Sequence, residues 1–127
     1  MKNALVKSYA SLAVAMFVGG GVLPAYAHAD LVDTVPSQGE VITTPPEELR
    51  LTFTEGVELA FTEISITDAD DDSEIGVGEL SLDPEDNKTI IVPIEAELAA
   101  GTYAVEWAVV SADGHKIEGS YEMDIAP

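Results

Sequence analysis

The chain has 127 residues, with 24 Asp and Glu against five Lys and Arg, a formal charge of −19 at neutral pH and no cysteine. The missing thiols exclude disulfides, thiolate metal sites and cysteine nucleophiles together. The charge excludes a surface that holds nucleic acid or anionic lipid, and it gathers cations around the protein instead.

The first 27 residues read as a secretory signal that is removed. Lys2 and Lys7 form a basic head, Leu12 to Val18 is apolar, and Ala25-Tyr26-Ala27 is the small-x-small pattern that signal peptidase cuts. A retained membrane anchor fits less well, because the apolar run is shorter than the ~20 residues a helical span needs. No later segment is long and apolar enough to span, and no cysteine follows the cleavage site to carry a lipid, so no membrane insertion is expected after cleavage. The mature chain, residues 28–127, is then 100 residues long and makes one domain. It keeps all 24 carboxylates and, as fixed cations, Arg50, Lys88 and Lys116, for a mature charge of −21.

Along the mature chain, short stretches alternate in polarity between turn signals, as half-buried antiparallel strands do. The alternation is clearest at Arg50 to Thr54, Glu63 to Thr67, Tyr103 to Val109 and Tyr121 to Ile125. Further strands are expected at Leu31 to Val35, Ile75 to Leu82 and Thr89 to Ile94, divided by Pro45-Pro46, the acidic stretch Asp68 to Glu74, and Asp83 to Asn87. About seven strands at this spacing predict an all-β, immunoglobulin-like Greek-key sandwich or barrel. Glu95 to Ala100 is compatible with helix but too short for more than a turn. Trp107 is expected to be the largest single contributor to the core.

The mature chain holds two histidines. Once Ala27 is cut away, His28 offers its α-amine and its ring Nδ1 to one ion, a six-membered chelate that an internal histidine cannot form. His115 ends the run Ser111-Ala112-Asp113-Gly114-His115, where Asp113 lies two residues away and Gly114 permits a tight bend between them. An amine, two imidazoles and a carboxylate suit tetragonal Cu(II); Zn(II) would use the same donors more weakly.

The mature sequence resembles the CopC/PcoC family of periplasmic copper-resistance proteins over nearly all of residues 28–127. The resemblance rests on His28-Ala29-Asp30-Leu31 followed by Pro36-Ser37-Gln38-Gly39, on Leu51 to Val57, on Gly101-Thr102-Tyr103, and on Trp107 to His115. It implies a periplasmic, non-enzymatic Greek-key β-domain that holds one Cu(II) through the His28 amine and ring, Asp113 and His115, with Glu55 in an outer-sphere role. It also implies a carrier or buffer in copper resistance or homeostasis, monomeric, with delivery toward an inner-membrane CopD-type importer. Two positions depart from the family pattern: Gly56 stands for the usual proline and Ala108 for the usual arginine. Many relatives carry a methionine-rich Cu(I) segment, whereas here Met1 and Met16 leave with the signal and Met123 alternates with core positions. The resemblance therefore implies a Cu(II)-only member.

Rival readings come from other classes. Asp68, Asp70, Asp72 and Glu79 fall at positions one, three, five and twelve of a helix-flanked calcium loop, but Ser73 stands where that loop needs glycine and the flanks read as strands, so a solvated hairpin is expected. A small copper-dependent oxidative enzyme would share the terminal-histidine chemistry, yet 100 residues with one tryptophan leave little room for an extended substrate face. A purely structural sandwich domain leaves the placement of both histidines unexplained.

Overall fold

The computed structural model describes residues 30–127. Nine strands form two sheets: β1 (Leu31–Val35), β2 (Val41–Ile42), β3 (Glu48–Phe53), β4 (Glu63–Asp68), β5 (Glu74–Ile75), β6 (Ser81–Asp83), β7 (Asp86–Pro93), β8 (Gly101–Val110) and β9 (Lys116–Ile125). The first sheet has the order β1-β3-β7-β6 and the second β2-β9-β8-β4-β5. The chain passes between the sheets after β1, β2, β3, β5 and β7, which makes a Greek-key sandwich of the expected all-β class.

Period-2 alternation drives the packing. On β3, Leu49, Leu51 and Phe53 turn inward and are buried, opposite Val92 and Ile90 of β7. On the second sheet, Ile66, Tyr103, Val105, Val109, Met123 and Ile125 complete the core. Between them, outward residues meet water or pair with one another: Arg50 bonds Glu48 at 3.0 Å and Asp83 at 2.9 Å.

One expected strand is corrected. The segment Ile75 to Leu82 is not one strand. It splits into β5 and β6, which belong to different sheets, and the chain between them crosses the edge of the sandwich, with Gly78 N–H donating to Pro93 C=O at 2.9 Å. The two-residue β2, too short to show alternation, adds in parallel to the end of β9. Glu95 to Ala100 forms no helix; it is a connection pinned by buried Leu98 and by the Tyr103 hydroxyl, which donates to Ala99 C=O at 2.7 Å. The one helical turn among the described residues is instead a 3-10 turn at Leu59–Phe61. The acidic stretch is a hairpin between β4 and β5, as expected, and its carboxylates cap their own turn: Asp68 accepts from Asp70 N–H at 2.8 Å and Asp71 from Ser73 N–H at 2.9 Å. Glu79 lies beyond that hairpin, past β5.

Trp107 stands at the margin of the core rather than its centre. The largest side chain in full burial is Phe53, whose ring meets the Trp107 indole edge-on, with centroids 5.4 Å apart and planes at 79°. Trp107 is paired across the ladder with Gly119, and an added Cβ there would lie 2.3 Å from the indole ring. Glycine at 119 is thus the space the indole occupies. Beside it, Tyr121 Oη is buried with no partner among the described residues, and burial pushes that phenol up to about 12. Gly119→Ala should cost about 1–3 kcal/mol by overpacking, read as a lower denaturation midpoint, and Trp107→Phe in the same chain should recover part of the loss. Additive losses from the two changes would contradict this coupling.

Candidate functional site

The ladder between β8 and β9 runs without interruption from Gly101 opposite Ile125 to Val110 opposite Lys116. It is closed by Ala112, Asp113 and Gly114. Gly114 N–H donates to Ser111 C=O at 2.8 Å, Ser111 N–H donates to His115 C=O at 2.9 Å, and Gly114 adopts φ +91°. This is a three-residue hairpin loop ending in a left-handed glycine, a conformation a β-carbon would strain.

The bend brings Asp113 and His115 together. Asp113 Oδ1 lies 3.1 Å from His115 Nδ1 and 3.3 Å from the His115 backbone nitrogen. The buried Ser111 hydroxyl also donates to Asp113 Oδ1, and it accepts from His115 N–H at 3.3 Å. The Ser111 hydroxyl first, and then His115, hold the Asp113 carboxyl down at about 2. The imidazole and carboxylate stay open to solvent, at 61% and 37% side-chain exposure. Ser111 is the residue the sequence did not single out as part of this site. Its signal is a hydroxyl two residues before an aspartate at the end of a long strand, the spacing of a side-chain-capped turn.

Glu55 follows β3 in a half-buried position. The segment it belongs to is bonded to the hairpin loop: Gly56 C=O accepts from Ala112 N–H at 2.9 Å, Glu58 N–H donates to Val110 C=O at 2.7 Å, and Val57 bridges Ser111. The other end of the segment holds the start of the described chain. Asp30 N–H donates to Thr54 Oγ1 at 3.0 Å, and Asp30 C=O accepts from Thr54 N–H at 2.9 Å. His28 itself lies outside the described residues. One end of the sandwich therefore carries the entry of the chain at residue 30, Glu55, and the Asp113–His115 pair. A Cβ at Gly56 would lie 2.8 Å from the Asn87 side-chain amide, the end of an exposed side chain that can turn away.

The donors fit a hard-to-borderline ion: an imidazole and an ionised carboxylate side by side, with no thiol in the chain. Among the described residues no three His, Cys, Asp or Glu side chains gather closely enough to hold a metal; the hairpin tip brings two of these groups together. In metal-free protein, Ser111→Ala should move the Asp113 carboxyl back toward its ordinary range, because the largest stabilising donor is gone. Carbon-detected NMR titration reads this directly, and an Asp113 that still titrates near its starting value would refute the assignment.

Comparison with known proteins bears on the fold and the family. The CopC domain family matches residues 31–126. Protein YobA of Escherichia coli K12 is 36% identical over 114 residues, 89% of this chain and 91% of that one. The crystal structure of CopC from Methylosinus trichosporium OB3b superposes with a TM-score of 0.71 at 34% identity, over 79% of this chain and 95% of that one. PcoC, a methionine-rich copper-resistance protein from Escherichia coli, superposes with a TM-score of 0.69 at 27% identity, over 78% and 99%. With the family match spanning the whole sandwich and its hairpin, the chain belongs to the CopC family.

Proposed function

We propose that this protein is an exported, periplasmic copper carrier or buffer that holds one Cu(II) through the amine and ring of His28, with Asp113 and His115 completing the donors and Glu55 acting from the outer sphere. The observation that carries the reading is the convergence at one end of the sandwich. Asp30, two residues after His28, is clamped to Thr54, and the segment from Thr54 to Val57 is in turn bonded to the loop that presents Asp113 and His115. His28 lies two residues before Asp30, a span short enough to support its reaching that side. The copper-resistance role of PcoC supports copper as the ion.

Each residue has a separate task. His115 supplies an imidazole from the first position after the loop, Gly114 sets the bend, and the Ser111 hydroxyl, by donating to Asp113 Oδ1, holds the carboxylate beside that imidazole. Removal of residues 1–27 frees the α-amine, which is a ligand only when it is not part of a peptide bond. No residue is assigned to bond making or breaking: the function is binding, without catalysis, by a monomer that hands its ion to a partner such as a CopD-type importer in the inner membrane.

The oxidation state follows from the sulfur content. PcoC is methionine-rich, whereas Met123, the one methionine after residue 27, is buried at 4% exposure on the inner face of β9. Soft Cu(I) finds no thioether cluster here. Reducing the Cu(II) protein in the presence of a Cu(I) chelator should strip the ion, and retention of copper against that chelator would refute a Cu(II)-only site.

The terminus provides the central test. Three proteins are compared against a competing Cu(II) chelator: one beginning at His28, one with a single residue added before it, and His115→Ala. The extended protein and the His115→Ala protein should fold normally but bind copper more than about 100-fold more weakly, beyond the 10–100-fold cost usual for an outer-sphere partner. Glu55→Gln should fall within that smaller range. Equal affinity in the first three would place copper among the surface carboxylates and overturn the proposal.

A further inference from the structure

The longest uncovered strand edge among the described residues belongs to β9. Its one neighbour on the side away from β8 is β2, which pairs only with Asp124 and Ile125, leaving Lys116 to Met123 without a strand beside them. The ladder fixes which backbone groups face that side. Ser111 and His115 bond each other across the hairpin end, so bonded pairs recur at every second step: Val109 with Ile117, Trp107 with Gly119, Val105 with Tyr121. Lys116, Glu118, Ser120 and Glu122 therefore turn their N–H and C=O groups outward. The same parity appears where β2 attaches, since Ala126 N–H donates to Ile42 C=O at 2.8 Å.

The face next to this edge is acidic and shallow. On the outer side of the second sheet, Glu63, Glu106 and Glu118 lie along an open depression of about 820 Å³ whose lining also includes apolar Val77 and Leu80. Glu63 and Glu118 flank Ala108 in one cross-strand row, and Glu106 lies in the next row, flanked by Ser65 and Ser120. The one cation on β9 is Lys116, 3.7 Å from Glu118.

We propose that the free edge of β9 docks an extended, lysine- or arginine-rich segment of a partner protein as an added strand. The open ladder supplies backbone pairing, and the carboxylates of the adjoining face select a cationic segment. A second copy of this chain is the poorer occupant, because each copy presents the same acidic face, with 24 carboxylates against three fixed cations after residue 27, so self-docking brings like charge together. β9 begins at the residue after His115, so a docked segment runs up to the hairpin that carries the candidate copper ligands. Only this last consequence rests on the copper reading; the docking itself is independent of it.

The test uses metal-free protein, so that it succeeds or fails apart from copper binding. The probe is an acetylated eight-residue peptide of alternating lysine and valine, and its control is the same peptide with proline for valine, equal in charge but unable to pair. On addition of the lysine–valine peptide, amide exchange should slow at Lys116, Glu118, Ser120 and Glu122 and remain unchanged at the odd-numbered residues between them. Glu118→Lys with Glu122→Lys should weaken binding at least about tenfold through like-charge opposition. Ser120→Pro removes an outward N–H without touching a β8 bond and should abolish the protection; the charge variant carries the test if that chain fails to fold. Equal binding of the proline peptide, protection that appears elsewhere on the acidic surface, or self-association of the protein through β9 in sedimentation would each overturn the proposal.

Discussion

The β8–β9 hairpin is the constraint on which the rest of the structure depends. Ten residues pair with ten in one unbroken register, which fixes every side chain on both strands to one face or the other. A slip of one residue in β9 would turn Met123 and Ile125 out to water and bring Glu118 and Glu122 into the core. The three-residue loop with left-handed Gly114 pins that register at the tip, and the same bend aligns Asp113 with His115. Turn chemistry that serves the fold and turn chemistry that builds the site are here one set of atoms.

Much of this is legible in sequence, for reasons particular to each element. β3, β4, β8 and the end of β9 stand out because one face is core and the other water, so their polarity alternates. The split of the stretch Ile75 to Leu82 is hidden, because its apolar residues serve two different sheets across Gly76 and Gly78, and alternation does not report which sheet a residue joins. β2 is hidden because two residues carry no period. Trp107 is misjudged from size alone, since its place at the margin depends on Gly119, twelve residues away in sequence and opposite it in register. At the site, Asp113, Gly114 and His115 declare themselves by type and spacing. Ser111 does not, because its role lies in donating to a carboxylate that the sequence already presents as a ligand.

The two departures from the family pattern have separate physical settings. At position 56 a β-carbon would meet the side-chain amide of exposed Asn87, which can turn away, while the Asn87 backbone C=O accepts from Val57 N–H at 3.3 Å. At position 108 alanine lies between Glu63 and Glu118 on the outer face, where the usual arginine would neutralise both neighbours. Its absence leaves that face with an unbalanced negative field, while the inner side of the same strand is unaffected.

That field bears on how selectivity arises. With 24 carboxylates and three fixed cations after residue 27, the protein enriches divalent cations at its surface, and this raises encounter rates without distinguishing one ion from another. Oxygen donors alone favour the hard, abundant ions over copper. Discrimination must therefore come from nitrogen, and the chain after residue 27 has two histidines to provide it, one at the hairpin tip and one at residue 28. Spreading further histidines over such a surface would create competing sites in the same attractive field. On the proposed function, imidazole confined to one point, beside the Asp113 carboxylate that Ser111 holds in place, would let a strongly acidic protein attract every cation yet retain copper at a single site.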